Sequence, residues 1–382
     1  MNYPLQRRQA LAQTLTKNSL DAFLVTKSEN VTYLTGFTGD SSFYVGTATN
    51  GILVSDTRFE EQIKEECPDV SAAIRGHNKT THQAAAEVLT NSGAESIGVE
   101  SNHLTIGELE LFKKLLPNAT FVPMSGTVEA QRAIKDASEI EMIRSAIRIA
   151  ERAFRMFTAT LRETDCEKDM VNAMEGFVRR AGGRWTSFPP IIAVGERGAL
   201  PHAPPSNKRL EEGNQLLVDW GADLLYKSDL TRTLRNPFGM TSTREGREKQ
   251  VQYDFEEIYE AVLQAQNAAM KAIKPGVSAK DVDAAARRVF GSTRLKKHPE
   301  IKLEDYFTHG LGHGIGLEIH EAPRVRANSD DVLEAGMVIT LEPGIYIPEW
   351  GGVRIEDDFL ITPDGAVLLT SLPRGLDAAM IA

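Results

Sequence analysis

Cysteine is nearly absent, with only Cys67 and Cys166 in 382 residues. Two cysteines cannot build a disulfide framework, so apolar packing must hold the chain, and a reducing cytoplasm is the expected compartment. Long apolar runs are missing too. No uninterrupted stretch approaches the roughly 18 residues that suggest a membrane span, and no apolar signal segment follows Met-Asn-Tyr-Pro-Leu-Gln-Arg-Arg-Gln. No membrane association is expected. Basic clusters are absent as well: the longest are pairs such as Arg7-Arg8, Arg179-Arg180 and Lys296-Lys297, in a chain of net charge −10. Phosphate neutralisation dominates nucleic-acid affinity, so no nucleic-acid partner is expected.

What is present is ordinary globular composition, 41% apolar and 25% charged, too apolar for a disordered chain. The length suggests two domains. Over residues 1–128, strand-like runs alternate with helical ones. Residues 5–18 read as a helix, Asp21 to Thr26 as a buried strand, and Phe43 to Val45 and Gly51 to Val54 as strands about a turn. Residues 57–66 read as a charged helix, Ile97 to Glu100 as a strand and Ile106 to Leu116 as a helix. This order indicates an α/β domain with a parallel or mixed sheet.

The character changes near Glu129, and residues 129–382 form the second expected domain. Ile140, Ile143, Ile147, Ala150 and Phe154 recur at helical spacing within Lys135 to Leu161. A second helix over Asp165 to Arg180 ends at Ala181-Gly182-Gly183, and turn-rich strands follow to Arg235. The order then repeats: helices over 245–273 and 279–289, with Gly291 as a stop, and strands from Thr308 onward. The repetition extends to single residues. Leu210-Glu211-Glu212-Gly213 precedes Asp219, as Leu333-Glu334-Ala335-Gly336 precedes Glu342, each acid six residues after its glycine. His202 and His320 come before these segments, and Asp229 and Glu356 come after them. Such self-similarity indicates an internal duplication. If the halves pack about a pseudo-two-fold axis, the four acids converge.

Each of these acids lies in a segment rich in β-formers. A buried ionised carboxylate costs several kcal/mol unless it is paired or binds metal. One such acid would be a strand end or an ion pair, whereas four in a duplicated pattern point to metal. His309-Gly310-Leu311-Gly312-His313-Gly314-Ile315-Gly316 adds two histidines among four glycines, which allow close backbone approach. Asp219, Asp229, His313, Glu342 and Glu356 are therefore the candidate ligands. An oxygen-rich set with one imidazole suits Mn²⁺ and tolerates Zn²⁺, Co²⁺ or Fe²⁺. Four carboxylates balance two divalent ions, and such a pair activates a water or hydroxide for hydrolysis. His202 and His320, each alone a turn or core histidine, are candidates for acid–base work or oxyanion stabilisation. His77, His82, His103 and His298 read as surface residues.

Several segments together resemble the pita-bread metallopeptidases, specifically the aminopeptidase P, prolidase and creatinase group. They are Leu200-Pro201-His202-Ala203-Pro204, Val218-Asp219-Trp220-Gly221-Ala222, Ser228-Asp229-Leu230-Thr231-Arg232-Thr233, the glycine-rich segment from His309, Leu341-Glu342-Pro343-Gly344-Ile345-Tyr346, and Gly351-Gly352-Val353-Arg354-Ile355-Glu356-Asp357. Asn30 to Gly39 resembles the opening of that group's N-terminal domain. The resemblance implies a creatinase-type α/β N-terminal domain that gates substrate access, and an α+β pita-bread catalytic domain with internal pseudo-two-fold duplication. It implies that the five candidate ligands hold two metal ions, often manganese. It further implies that His202 and His320 contact substrate and intermediate, that His309 is a further pocket histidine and that Arg354 lies near substrate. A homodimer acting on short peptides with proline second is the implied assembly and substrate. Asp219 and Asp229 stand ten positions apart, one fewer than the family's pattern, which implies a shortened hairpin. The complete ligand set sets the chain apart from creatinase, and the N-terminal domain from a bare methionine aminopeptidase. Two alternatives remain: hydrolysis of a non-peptide amide on the same fold, and a catalytically silent binding protein.

Overall fold

The computed structural model describes residues 3–240 and 253–381. The chain divides into two compact units, Met1–Arg132 and Ala133–Ala382. In order, the first comprises α1 (Tyr3–Lys17), β1 (Ala22–Val25), α2 (Ser28–Thr35), β2 (Phe43–Thr47), β3 (Gly51–Asp56), α3 (Glu60–Glu66), β4 (Ser71–Arg75), α4 (Thr81–Ser92), β5 (Ser96–Glu100), α5 (Ile106–Leu115), β6 (Thr120–Met124) and α6 (Thr127–Ala133). Its six strands form one mixed sheet, ordered β4-β3-β2-β1-β5-β6. Period-two alternation sends Ala22 and Leu24 of β1 toward Ala85, Leu89 and Phe112 of α4 and α5. Ser28–Thr35 ends on Gly36 at φ 83°, a left-handed cap that favours glycine.

The second unit comprises α7 (Ala137–Thr158), α8 (Glu167–Ala181), β7 (Trp185–Thr186), β8 (Ile191–Val194), β9 (Gln215–Trp220), β10 (Ala222–Asp223) and β11 (Leu230–Arg235). Then come α9 (Phe255–Ala272), α10 (Ala279–Ser292), β12 (Gly312–Gly314), β13 (Glu321–Val325), β14 (Val338–Leu341), β15 (Gly344–Ile347), β16 (Gly351–Arg354), β17 (Asp357–Thr362) and β18 (Gly365–Leu368). Two helices followed by antiparallel strands thus occur twice. α7 and α8 pack Ala150, Phe154, Met174 and Val178 onto Leu216, Val218 and Trp220 of the β11-β9-β8 sheet. α9 and α10 pack Val262, Ala265, Val282 and Phe290 with Ile339 and Phe359 of the β13-β12-β14-β17-β18 sheet. An isolated bridge between Thr231 and Glu356 joins the two sheets, so the seam of the duplication runs through the candidate site.

Local chemistry sets the helix boundaries. Asp136 accepts from the Ser138 and Glu139 amides at the start of α7, with Glu139 reaching back in a capping box. The expected helix over 245–273 is seen as α9, which starts at Phe255 on an Asp254 cap; residues 245–252 lie outside the described residues. Gly291 does not stop α10, which runs to Ser292. A Cβ at Gly291 would stand 2.7 Å from the Glu304 carboxylate, so the glycine makes room for a side chain.

The hairpin between Asp219 and Asp229 turns at Leu225, which sits at φ 94°. The Leu225 amide donates to Asp223 Oδ1 at 2.7 Å, and Lys227 pairs with Asp223 across the turn. A branched residue in that region is strained. We expect Leu225→Gly to raise stability by about 0.5–1 kcal/mol, the strain relieved outweighing glycine's greater unfolded-state freedom. The check is a urea midpoint that rises at unchanged slope.

Candidate metal centre

β9 is buried along its whole length, but its two faces do different things. Leu216, Val218 and Trp220 face the helices. The alternate residues Leu217 and Asp219 face the other way, and Leu217 packs against Tyr346. Thr231 of β11 pairs with Asp219, and Asp229 lies two residues before Thr231, so period-two alternation places all three on one face. In the second half, Leu341 pairs with Asp357, and Glu342 and Glu356 stand just beyond that rung. Only Asp219 lies within a strand. The other three acids occupy the residues flanking strand ends, and Glu356 is held there by its bridge to Thr231.

These acids open onto one cavity of about 510 Å³, whose lining includes all nine residues singled out in the sequence: His202, Asp219, Asp229, His309, His313, His320, Glu342, Arg354 and Glu356. Asp229, His313 and Glu356 each present a ligand atom within 4.8 Å of the others. His313 Nε2 stands 3.6 Å from Asp229 Oδ2 and 3.8 Å from Glu342 Oε1. His313 Nδ1 meets the Gly314 carbonyl at 3.1 Å. A carbonyl only accepts, so Nδ1 carries the proton and Nε2 offers its lone pair to the carboxylates, as in a metal-ligating imidazole.

The electrostatics are those of a site built for cations. Burial pushes the Asp219 carboxyl up, against the pull of Arg354. Burial also pushes Asp229 well up, with Glu356 and Asp219 adding repulsion. Glu342 moves the same way by burial and by Glu356, and burial beside Asp219 takes Glu356 to about 8. Burial lowers His313 to about 3, so its imidazole is neutral at pH 7. Asp219 Oδ1, Asp229 Oδ1 and Glu356 Oε1 are buried with no hydrogen-bond partner. Unpaired buried carboxylate oxygens are costly, and divalent cations are the partners that fit this oxygen-rich set.

The remaining candidates divide by what they touch. His202 and His320 are exposed to the cavity, and the His320 ring meets His313 edge-on at 4.4 Å between centroids. His309 has both ring nitrogens engaged: Nδ1 donates to the Gly310 carbonyl at 2.7 Å, and Nε2 accepts from Tyr346 Oη at 2.7 Å. Arg354 is buried, donating to Asp219 Oδ2 at 2.6 Å, Tyr346 Oη at 2.9 Å and Thr231 Oγ1 at 3.1 Å. Thr231 Oγ1 donates in turn to Glu356 Oε2 at 2.7 Å. Sequence reasoning missed the roles of Thr231, Tyr346 and Asp358. Thr231 was recoverable, since it lies two residues beyond Asp229 on the same face. Of the histidines read as surface, His82 packs against Phe43 and Phe112, and His298 against Tyr253; both are half-buried because flanking aromatics cover them.

Residues 141–363 match metallopeptidase family M24, and residues 7–134 match the creatinase/prolidase N-terminal domain. The chain belongs to metallopeptidase family M24. It is an M24 metallopeptidase with a creatinase-type N-terminal domain and a pita-bread catalytic domain. It is 35% identical over 372 residues to the Xaa-Pro dipeptidase of Pyrococcus horikoshii, covering 97% of this chain and 98% of the relative. The structure of the Xaa-Pro dipeptidase from Bacillus anthracis is similar at TM-score 0.86 and 34% identity, covering 98% of this chain and 99% of that one. The X-Pro aminopeptidase from Thermotoga maritima is similar at TM-score 0.81 and 30% identity, covering 94% and 97%. Among the described residues, no helix of this M24 chain is long and apolar enough to cross a membrane.

Proposed function

We propose that the chain is a dinuclear metal-dependent Xaa-Pro peptidase. The observation that carries this reading is the set of buried carboxylate oxygens without partners around a neutral His313. Asp219, Asp229, His313, Glu342 and Glu356 hold two divalent ions, with Mn²⁺ the preferred metal. Such ions supply a Lewis acid and lower the pKa of water at the scissile carbonyl.

The chain's own residues do the rest. Glu342 is the most open of the four acids, its side chain 21% exposed, and so is placed to accept the proton of the attacking water. His202 and His320 donate hydrogen bonds to the oxyanion, and the proton that Glu342 takes from water passes to the proline nitrogen as the bond breaks. Arg354 and His309 are held by their own partners and orient Asp219 and Tyr346. Phe188, Pro189, Ile191 and Ile319 give the cavity an apolar wall that suits a proline ring and excludes water. Arg324 and Arg326 line the same cavity and suit a free C-terminal carboxylate, which favours dipeptides over longer peptides. The curated relative and the solved structure named as Xaa-Pro dipeptidases support the same choice. A homodimer and an N-terminal domain that limits substrate length complete the proposal.

The test compares metal-stripped and Mn²⁺-reloaded protein on Xaa-Pro dipeptides and Xaa-Pro-Yaa tripeptides. We expect activity only after reloading, two ions per chain by elemental analysis, and the higher kcat/KM on dipeptides. No cleavage of either peptide with metal bound would overturn the peptidase reading.

A further inference from the structure

The glycine-rich segment carries His309 and His313, yet four of its eight residues are glycine. Glycine loses more conformational freedom on folding than any other residue, so something outside the segment must fix its course. The partners are on α10. Asp283 is fully buried, and Arg287, one turn on, is half-buried. Arg287 Nε donates to Asp283 Oδ2 at 2.7 Å, and Nη2 to Oδ1 at 3.3 Å. The rest of the fork is spent on backbone: Nη1 donates to the Phe307 carbonyl at 3.2 Å and Nη2 to the His309 carbonyl at 2.7 Å. Asp283 Oδ1 accepts the Leu311 amide at 3.2 Å.

The three groups belong to residues 307, 309 and 311. The Asp283–Arg287 pair therefore holds the backbone of the segment at three alternate residues. The guanidinium also lies 4.4 Å over the Phe307 ring. The Leu311 carbonyl in turn accepts the Glu342 amide at 2.8 Å, so the α10 pair, the loop and Glu342 are joined in series.

We propose that Asp283 and Arg287 are positioning residues for the hydrolytic site, setting the backbone register of the loop that presents His309 and His313. This rests on the proposed peptidase reading for its kinetic consequence, but not for its structural one. A planar five-donor fork is needed to reach Asp283 and two carbonyls together, so lysine is a poor substitute.

The experiment uses the full chain loaded with Mn²⁺. Arg287→Met keeps the apolar stem, and Arg287→Lys and Asp283→Asn serve as milder variants should the first fold poorly. We expect Arg287→Met to lower kcat on an Xaa-Pro dipeptide at least 10-fold, with KM changed less than 3-fold and metal content unchanged. Arg287→Lys should fall between it and wild type. Amide exchange across residues 303–316 should speed up at least 10-fold while exchange in α7 and α8 stays as in wild type. Unchanged exchange in 303–316 would overturn the proposal, as would a loss of activity tracking a loss of bound metal or a global rise in exchange. If loaded wild type cleaves no Xaa-Pro peptide, the functional reading fails and the exchange comparison alone decides the positioning role.

Discussion

Asp229→Asn will abolish hydrolysis and yet make the metal-free protein more stable. Asp229 presents one oxygen to the His313–Glu356 cluster and has a second with no partner. Residues that merely orient a metal ligand carry about 10–100-fold in activity, so losing a ligand itself should cost more than roughly 100-fold. Without metal the same carboxyl is a liability, desolvated and facing Glu356, Asp219, Asp358 and Glu342. Replacing buried charge by a neutral group of the same shape stabilises by about 1–2 kcal/mol, which is roughly 2–8 °C in Tm for a unit of this size. The pH dependence has an unusual sign. In the folded, metal-free protein Asp229, Glu342 and Glu356 keep their protons at pH values where the unfolded chain has released them. The folded state then binds more protons, so stability falls as pH rises. The window opens near the ordinary carboxylate range of about 4 and, for Glu356, closes near about 8. Cations must displace these protons, so Mn²⁺ affinity should rise across that window. Scanning fluorimetry with chelator at pH 5 and 8, on wild type and Asp229→Asn, checks both statements. A metal-free Tm that is flat or rising with pH would contradict them.

Legibility in the sequence followed how local each signal was. The α7 face is written in one helix, Ile140, Ile143, Ile147, Ala150 and Phe154 at helical spacing; the last four are buried and Ile140, in the first turn, is half-buried. The duplicated Leu-Glu-x-Gly segments marked the acids because both halves solve the same problem, an acid at the edge of a buried sheet. β4 and β6 went unread because they are the two edge strands, part-exposed, with short apolar runs, Ala72-Ala73-Ile74 and Phe121-Val122-Pro123-Met124, that show no alternation and in β6 contain a proline. α4 went unread because its buried face is largely alanine, although Thr80 and Gln83 form a capping box at its start. Tyr346, Thr231 and Arg287 act through contacts over 8 to 125 positions, and no spacing rule encodes such distances. Asp358 is the least legible. It neighbours Asp357 and Glu356 in an acidic run, yet its Oδ2 accepts the Asp229 amide at 3.3 Å while Oδ1 has no partner.

Arg232→Met should destabilise the catalytic unit by about 3–5 kcal/mol, the cost of stranding a buried partner charge. Arginine has five N–H donors, and Arg232 uses all of them. Nε reaches the Pro373 carbonyl at 3.1 Å, and Nη1 the Thr231 and Glu356 carbonyls at 2.9 and 2.7 Å. Nη2 reaches Asp357 Oδ1 at 2.7 Å and the Leu372 carbonyl at 2.9 Å. The residue therefore joins β11, the link between β16 and β17, and the tail after β18, across the seam where the two sheets meet. Asp357 is fully buried; its other partners are the neutral Thr370 and Gln266 and, at the longer distance of 3.9 Å, the Arg374 guanidinium, which offsets only part of the loss. A loss of 3–5 kcal/mol corresponds to a fall of roughly 6–20 °C in Tm. Arg232→Lys should lose nearly as much, because a single ammonium cannot span carbonyls on three segments. Arg232→Met with Asp357→Leu should recover more than half of the loss, since removing both partners costs less than stranding one. Metal affinity should fall along with stability, because the Glu356 carbonyl bond fixes the backbone from which that carboxylate reaches the cavity. Excess Mn²⁺ should then restore part of the Tm by mass action on the folded state. Equal stability of the single and double variants would show that the five bonds, rather than the buried charge of Asp357, account for the whole effect.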